Sequence, residues 1–232
     1  MKKSHRRLLI ALAFVLAACG GSEQGAPIDA QPVADAPTAP RIAKQTILVL
    51  GNSIAAGYGV EPEEAFPARL QEKIDSAGLP FSVVNAGVSG ETTAGGLGRI
   101  DWILRQRVDV LILELGGNDG LRGTLPDATR SNLEAIIDRT RERYPDADVL
   151  LAGMQMPPNL GQQFTRQFLE LFPQIAQERN VALVPFLLEG VGGIPSLNQS
   201  DGIHPTPEGH RIVAETVWQY LEPILRSRAA SV

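Results

Sequence analysis

The sequence predicts a three-layer α/β/α sandwich in which helices cover both faces of a five-stranded parallel sheet. Two observations predict this fold class. Short apolar runs such as 46–50 (TILVL) and 110–115 (VLILEL) have the length of strands and lack polar alternation, as is typical of strands buried on both faces. Segments with apolar residues at helical spacing separate these runs. Regular alternation of strands and helices indicates parallel strands joined by right-handed crossovers.

The predicted elements of the first half follow from this pattern in chain order. Residues 46–50 form the first strand, and residues 65–77 form a helix with one apolar face. That face consists of Phe66, Leu70, Ile74 and Ala77. A second strand at 81–85, a helix at 93–106 and a third strand at 110–115 complete this half. Each of the first two strands is therefore followed by a helix that can cross over to the next strand.

The second half continues the alternation with three helices and two strands. A helix at 129–144, a strand at 149–152, a helix around 164–175 and a strand at 182–184 follow one another. The final helix, 207–225, begins with a proline, which favours the first turn of a helix. The stripes of the three helices consist of Leu133, Ile136, Ile137 and Thr140, then Phe164, Phe168, Leu171, Phe172 and Ile175, then Val213, Val217, Leu221 and Ile224.

The first 43 residues are predicted to lie outside the folded domain, which is expected to span 44–232. Residues 1–18 are typical of a signal peptide, because a basic stretch precedes an apolar run that is too short to span a bilayer. The segment 19–43 is rich in Ala and Pro and has no apolar period. Such a composition predicts a flexible tether.

Cys19 is the only cysteine of the chain and stands directly after the apolar run. The sequence Leu-Ala-Ala-Cys-Gly resembles the bacterial lipoprotein box, in which the cysteine becomes the lipidated first residue of the mature chain. Ordinary cleavage after the alanines, which leaves a free thiol, is the alternative. The resemblance implies a periplasmic lipoprotein of the cell envelope that is anchored to the membrane through the lipid on Cys19.

Charge and composition exclude several kinds of partner. The first 18 residues hold four of the 21 basic residues and none of the 26 acidic residues, so the remaining chain carries a net charge of −9. Because an acidic surface repels phosphate backbones, nucleic acid is not an expected partner. One cysteine and three histidines provide neither a disulfide framework nor the usual ligands of zinc. No metal is therefore expected, and the sequence predicts no particular oligomeric state.

Polar or glycine-rich segments follow the predicted strands. They are 51–53 (GNS), 85–92 (NAGVSGET), 116–120 (GGNDG), 154–158 (MQMPP) and 201–205 (DGIHP). In parallel sheets the ligand site lies beyond the carboxyl ends of the strands. We therefore expect these loops to converge on one site.

The residues in these loops match the requirements of acyl transfer. A serine hydroxyl needs an adjacent base, and the base needs a carboxylate that fixes its tautomer. Ser53 is the predicted nucleophile, His204 the base and Asp201 the carboxylate. The oxyanion needs preorganised donors, each contributing about 2.7–4 kcal/mol. The predicted donors are the backbone N–H groups of Ser53 and Gly90 and the side-chain amide of Asn118.

Each of these assignments has a plainer structural alternative. Ser53 is also a favourable helix cap, Asp201 is a common turn residue, and Gly90 allows a positive φ. Met156 and Pro157 are predicted to wall a substrate pocket for the acyl chain, with ordinary core packing as the alternative.

Four further residues are given structural interpretations. Asp119 is expected to have a structural role, and Glu91 is expected to be a carboxylate at the start of a helix. His210 is expected either to face solvent or to pack against another helix. Trp102 is expected to pack in the fold, with contact to a substrate as the alternative.

Four sequence blocks, around Ser53, Gly90, Asn118 and the pair Asp201 and His204, resemble those of the SGNH (GDSL-type) hydrolase family. The strings NAGVSGETT, LELGGNDGLRG and DGIHP are similar to those of bacterial periplasmic arylesterases, thioesterases and lysophospholipases. The resemblance covers about residues 45–225. It implies a flavodoxin-like sheet and a serine esterase that cleaves small acyl esters or thioesters without a cofactor.

Asn52 departs from the family pattern, which usually has Asp at this position. An asparagine can keep a hydrogen bond that shapes the turn, so modestly altered activity or pH dependence is expected. The alternative function is a catalytically weak or inactive binding lipoprotein with the same fold, and Asn52 is its only support.

Two other functional classes fit the sequence less well. An α/β-hydrolase lipase carries its serine in Gly-x-Ser-x-Gly, whereas Ala55 stands two residues after Ser53 here. The glycine-rich stretch 89–98 follows a strand but lacks the Gly-Lys-Ser/Thr ending of a phosphate-binding P-loop.

Overall fold

The structure is a computed structural model that describes residues 44–231. Five parallel strands form one sheet in the order β2-β1-β3-β4-β5. The strands are β1 (Gln45–Gly51), β2 (Phe81–Asn85), β3 (Val110–Glu114), β4 (Asp148–Ala152) and β5 (Ala182–Val184). The predicted fold class is confirmed. The predicted signal peptide, Cys19 and the tether lie outside the described residues.

The centre of the sheet is its most deeply buried part. β1 lies between β2 and β3, with Leu48 opposite Val84 on one side and opposite Leu111 on the other. Every residue of β3 is buried, as are residues 47–51 of β1. Burial on both faces explains why these strands form nearly uninterrupted apolar runs in the sequence.

Helices cover both faces of the sheet. In the described part of the chain they are α1 (Ser53–Ala56), α2 (Phe66–Ser76), α3 (Thr93–Ile103), α4 (Gly117–Leu121), α5 (Pro126–Arg143), α6 (Gln162–Arg179) and α7 (Pro207–Ala229). α2 packs against α7, whereas α5 packs against both α3 and α6. Right-handed crossovers put α2 and α7 on one face of the sheet and α3, α5 and α6 on the opposite face. Between residues 44 and 231, no helix combines the length and apolar character needed to cross a bilayer.

Of the short helices α1 and α4, only α1 has a counterpart in the sequence analysis, where Ser53 is considered as the cap of a helix after the first strand. They contain four and five residues, which is too short to display a helical period. Both helices directly follow the carboxyl ends of central strands, β1 and β3. They therefore belong to the edge of the sheet at which the functional site is expected.

Burial decides two of the structural interpretations. His210 is fully buried in α7, and its Nδ1 accepts a hydrogen bond from Phe66 N at 3.3 Å. The helix-packing interpretation is confirmed, and the solvent-facing one is wrong. Trp102 is 67% exposed, so the prediction that it packs in the fold is also wrong. The buried residues of α3 are Thr93, Gly96, Ile100 and Ile103, and Trp102 lies outside that face.

Candidate active site

β1 brings Ser53 to the carboxyl edge of the sheet. The strand ends at Gly51, and Asn52 caps α1 because its Oδ1 accepts a hydrogen bond from Ile54 N at 2.9 Å. The expectation that Asn52 shapes this turn is confirmed. Ser53 is therefore the first residue of α1, and only 9% of its surface is exposed.

Glu114, the last residue of β3, holds the same turn. Its Oε2 accepts hydrogen bonds from Asn52 N at 2.9 Å and from Ala55 N at 3.2 Å. A side chain at Gly51 would bring its first carbon within 2.4 Å of this oxygen, so the close approach of Glu114 requires a glycine. Glu114 is fully buried, and burial raises the pKa of its carboxyl to about 8.

Sequence reasoning missed Glu114. The available signal was a single acidic residue inside the apolar run VLILEL. Its partners Asn52 and Ala55 stand about 60 residues earlier in the chain, so only the folded structure identifies them. Glu114 Oε1 has no hydrogen-bond partner among the described residues.

His204 lies between Ser53 and Asp201. Its Nε2 is 2.9 Å from Ser53 Oγ, and its Nδ1 is 2.7 Å from Asp201 Oδ2. Asp201 Oδ1 accepts hydrogen bonds from Ile203 N at 2.9 Å and His204 N at 3.0 Å. The tight turn from Asp201 to His204 includes Gly202, whose φ of +71° favours glycine.

The hydrogen bonds on Asp201 define the tautomer of His204. The bond from the imidazole, followed by the two backbone bonds, lowers the pKa of the Asp201 carboxyl to about 2. Asp201 is therefore ionised at neutral pH and acts only as an acceptor. A neutral His204 then carries its proton on Nδ1, which leaves Nε2 free to accept the proton of Ser53.

The three predicted oxyanion donors lie in different settings. Asn118 is in α4 and lines the same cavity as Ser53, and its Nδ2 donates to Glu91 O at 2.9 Å. Gly90 has a φ of +80° and stands next to this carbonyl, but it does not line the cavity. Arg122 Nη2 donates to Gly90 O at 2.9 Å. The loop of Gly90 is therefore held by two hydrogen bonds, one from Asn118 in α4 and one from Arg122 directly after α4.

Two acidic residues support these loops from outside the cavity. Asp119 is 1% exposed and accepts a hydrogen bond from Thr93 N at 2.9 Å, which joins α4 to the start of α3. Its predicted structural role is confirmed. Glu91 stands just before the capping residue Thr92 and lies outside the first turn of α3. It also accepts a hydrogen bond from Arg99 Nε at 2.6 Å.

A cavity of about 570 Å³ opens beside Ser53 and His204. The predicted residues Met156 and Pro157 line it, whereas Trp102 does not. Sequence reasoning missed other apolar side chains in its wall, because they come from α4 and from the long segment after β5. They are Leu121, Phe186, Leu188 and Ile203.

Comparison with known proteins identifies the family. Residues 49–212 match the model of the GDSL-like lipase/acylhydrolase family, which is more than half of the chain. The chain belongs to this family. The resemblance to SGNH (GDSL-type) hydrolases inferred from four short blocks is thereby confirmed.

Relatives and solved structures agree with membership of the GDSL-like family. The chain is 42% identical over 184 residues to esterase TesA of Pseudomonas aeruginosa, covering 79% of this chain and 90% of that protein. It is 38% identical over 184 residues to thioesterase 1/protease 1/lysophospholipase L1 of Escherichia coli K12, covering 79% of this chain and 86% of that protein. A crystal structure of TesA superposes with a TM-score of 0.74 at 41% identity, covering 77% of this chain and 99% of the other.

Family membership confirms the predicted enzyme class. This GDSL-like chain is a carboxylic ester hydrolase, in agreement with relatives named as an esterase and a thioesterase. Within residues 44–231, no group of three histidine, cysteine or acidic side chains could hold a metal ion.

Proposed function

We propose that the protein is a serine esterase that hydrolyses small carboxylic esters or thioesters through an acyl-enzyme intermediate. Ser53 is the nucleophile, His204 the general base and Asp201 the carboxylate that orients the base. The observation that carries the proposal is the continuous path from Ser53 Oγ to His204 Nε2 at 2.9 Å and from His204 Nδ1 to Asp201 Oδ2 at 2.7 Å. Each step of this path is within hydrogen-bond distance.

Acylation begins with attack of Ser53 Oγ on the acyl carbonyl carbon. The hydroxyl proton moves to His204 Nε2, and the ionised Asp201 stabilises the resulting imidazolium. The tetrahedral intermediate then collapses, and the His204 proton passes to the oxygen or sulfur of the leaving group. Water deacylates Ser53 by the same proton transfers in the opposite order.

The negative oxygen of the tetrahedral intermediate needs donors that are already in position. The Ser53 N–H is available because Ser53 opens α1, where the first backbone N–H groups have no partner within the helix. The Asn118 amide has a second N–H beyond the one donated to Glu91 O. The Gly90 N–H is the third proposed donor. Loss of one such donor costs about 10²–10³ in kcat.

The substrate class follows from the cavity and from the relatives. Met156 and Pro157, together with the other apolar residues of the wall, would surround an acyl chain, and a volume of about 570 Å³ falls within the range of small-molecule sites. Relatives named as an esterase and as a thioesterase and lysophospholipase support acyl esters, thioesters and lysophospholipids as the substrates to test first.

Hydrolysis of p-nitrophenyl acetate by Ser53→Ala tests the proposal. We expect kcat/KM to fall at least about 10³-fold, because the residual rate then depends only on oxyanion donors and binding. A fluorophosphonate probe should label the wild-type protein on the peptide that contains Ser53. Ser131→Ala, at an exposed position of α5, is the matched control and should retain activity.

Equal slow turnover by the wild type and Ser53→Ala would contradict the proposal. That result would instead support the alternative of an inactive binding lipoprotein. Labelling of a different serine by the probe would also reject Ser53 as the nucleophile.

We also propose that the enzyme is a periplasmic lipoprotein anchored to the membrane through Cys19. The support is the lipoprotein-like sequence around this single cysteine. Labelling with a radioactive fatty acid should mark the wild-type protein and not Cys19→Ser, and only the wild type should sediment with membranes. Equal labelling of both proteins would contradict this assignment.

A further inference from the structure

The aromatic ring of Tyr58 packs against the imidazole of His204. The ring centroids are 4.5 Å apart and the planes are inclined by 41°. Tyr58 follows α1, and its N–H donates to Ser53 O at 3.0 Å. The residue that covers one side of His204 is therefore hydrogen-bonded to the backbone of Ser53.

Gln199 connects the same two loops through the backbone. Its Nε2 donates to Tyr58 O at 2.7 Å and to Pro205 O at 3.1 Å, and its N–H donates to His204 O at 2.7 Å. Space for the Gln199 side chain exists because residue 59 is a glycine. A side chain at Gly59 would come within 2.2 Å of Gln199 Oε1.

These contacts join segments that are far apart in the sequence. Gln199 and Tyr58 are separated by 141 residues, and His204 and Ser53 by 151. Asp201 fixes the rotation of the imidazole, but it belongs to the same short loop as His204. Asp201 therefore cannot by itself set the distance from that loop to Ser53.

We propose that Tyr58 and Gln199 are positioning residues that hold His204 in line with Ser53. Gln199 fixes the separation of the two loops, and the Tyr58 ring packs against the imidazole from outside the cavity. This inference rests on the proposed roles of Ser53 and His204.

The Tyr58 ring also acts during the proton transfer. As the Ser53 Oγ–C bond forms, the Oγ–H bond breaks and its proton binds His204 Nε2, so the imidazole becomes a cation. An aromatic face within about 6 Å stabilises such a cation. At a partly exposed site this contribution corresponds to a factor of about two to five in rate.

Three variants separate the ring from the backbone connection. Tyr58→Ala removes the ring and keeps the carbonyl that Gln199 binds, and kcat should fall about two- to fivefold or more. Tyr58→Phe keeps the ring and should restore kcat to near the wild-type value. Gln199→Met keeps the side-chain volume but removes the two donated hydrogen bonds. Because a misplacement of 1 Å can cost 10²-fold, this variant should lose about 10- to 100-fold in kcat.

The division between kcat and KM distinguishes positioning from binding. Neither Tyr58 nor Gln199 lines the cavity, so KM for p-nitrophenyl esters should stay within about twofold of the wild type. The rate of fluorophosphonate labelling should fall in parallel with kcat. Matched controls are Tyr220→Ala and Gln163→Ala, which alter exposed residues on α7 and α6 and should leave both parameters unchanged.

The result that would overturn the inference is an unchanged kcat in both Tyr58→Ala and Gln199→Met, or a loss that appears only in KM. Circular dichroism identifies a variant that fails to fold. If Gln199→Met fails, the comparison of Tyr58→Ala with Tyr58→Phe still decides the role of the ring. Failure of the proposed function is recognised separately, because the wild type itself would then show neither labelling at Ser53 nor turnover that depends on Ser53.

Discussion

The contribution of Glu114 to the free energy of unfolding is expected to fall as the pH rises from about 5 to about 8, and Glu114→Gln is expected to remove this pH dependence. The wild-type carboxyl has a pKa of about 8 in the folded protein, against a usual value of 4.5. Between these two values the folded state keeps the Glu114 proton and the unfolded chain releases it. Release of this proton therefore favours the unfolded state increasingly as the pH rises.

The magnitude follows from the shift of the pKa. One unit corresponds to 1.36 kcal/mol, so the complete contribution is about 5 kcal/mol, of which about a third is lost between pH 6.5 and pH 8. The variant Glu114→Gln keeps an oxygen that can accept from Asn52 N and Ala55 N, but it has no proton to release. Its stability should therefore change much less over the same range.

His210 acts in the opposite direction at lower pH. Burial lowers the pKa of this imidazole from 6.5 to about 4, so its contribution to stability increases from pH 4 to pH 6.5 and is constant above that range. The wild-type curve below pH 6.5 therefore combines two opposite effects. The difference between the wild type and Glu114→Gln cancels the contribution of His210.

Urea denaturation followed by circular dichroism at pH 5, 6.5 and 8 provides the measurement. The wild-type free energy of unfolding minus that of Glu114→Gln should become more negative at each step. A difference that stays constant across the three pH values would refute the reasoning, because it would mean that Glu114 does not retain its proton on folding.

Two further predictions concern His210 and Asp201. His210→Ala should lower the free energy of unfolding by about 2–4 kcal/mol, because Phe66 N loses a buried acceptor and a cavity forms. Urea denaturation that gives less than about 1 kcal/mol would contradict this. Asp201→Asn should lower kcat by up to about 10⁴-fold with little change in KM, because the amide favours the wrong tautomer of His204, and near wild-type turnover would contradict the proposed role of Asp201.

The sheet and the strand-end loops were predictable because they depend on local patterns. β1 and β3 are buried on both faces, so their sequences are apolar without alternation. In a parallel sheet the carboxyl ends of neighbouring strands share one edge. That rule was sufficient to group Ser53, Asn118 and His204, although they come from three separate parts of the chain.

The features missed from the sequence depend on contacts between distant segments. Glu114 was hidden because its partners lie in a different loop, and the packing of Tyr58 on His204 requires two loops to meet. Trp102 is a different kind of error. The buried residues of α3 recur at intervals of three and four, and residue 102 does not belong to that series, so helical spacing alone could have predicted its exposure.

The separation of 151 residues between Ser53 and His204 sets the earliest point of synthesis at which the proposed catalytic pair is complete. β1 and α1 are made early, but the loop with His204 comes after β5 and is followed by α7. An unfinished chain that ends between residues 185 and 200 would contain Ser53 and all five strands and still lack His204, the proposed base. Ester hydrolysis by the proposed mechanism therefore requires a chain that has been synthesised past His204.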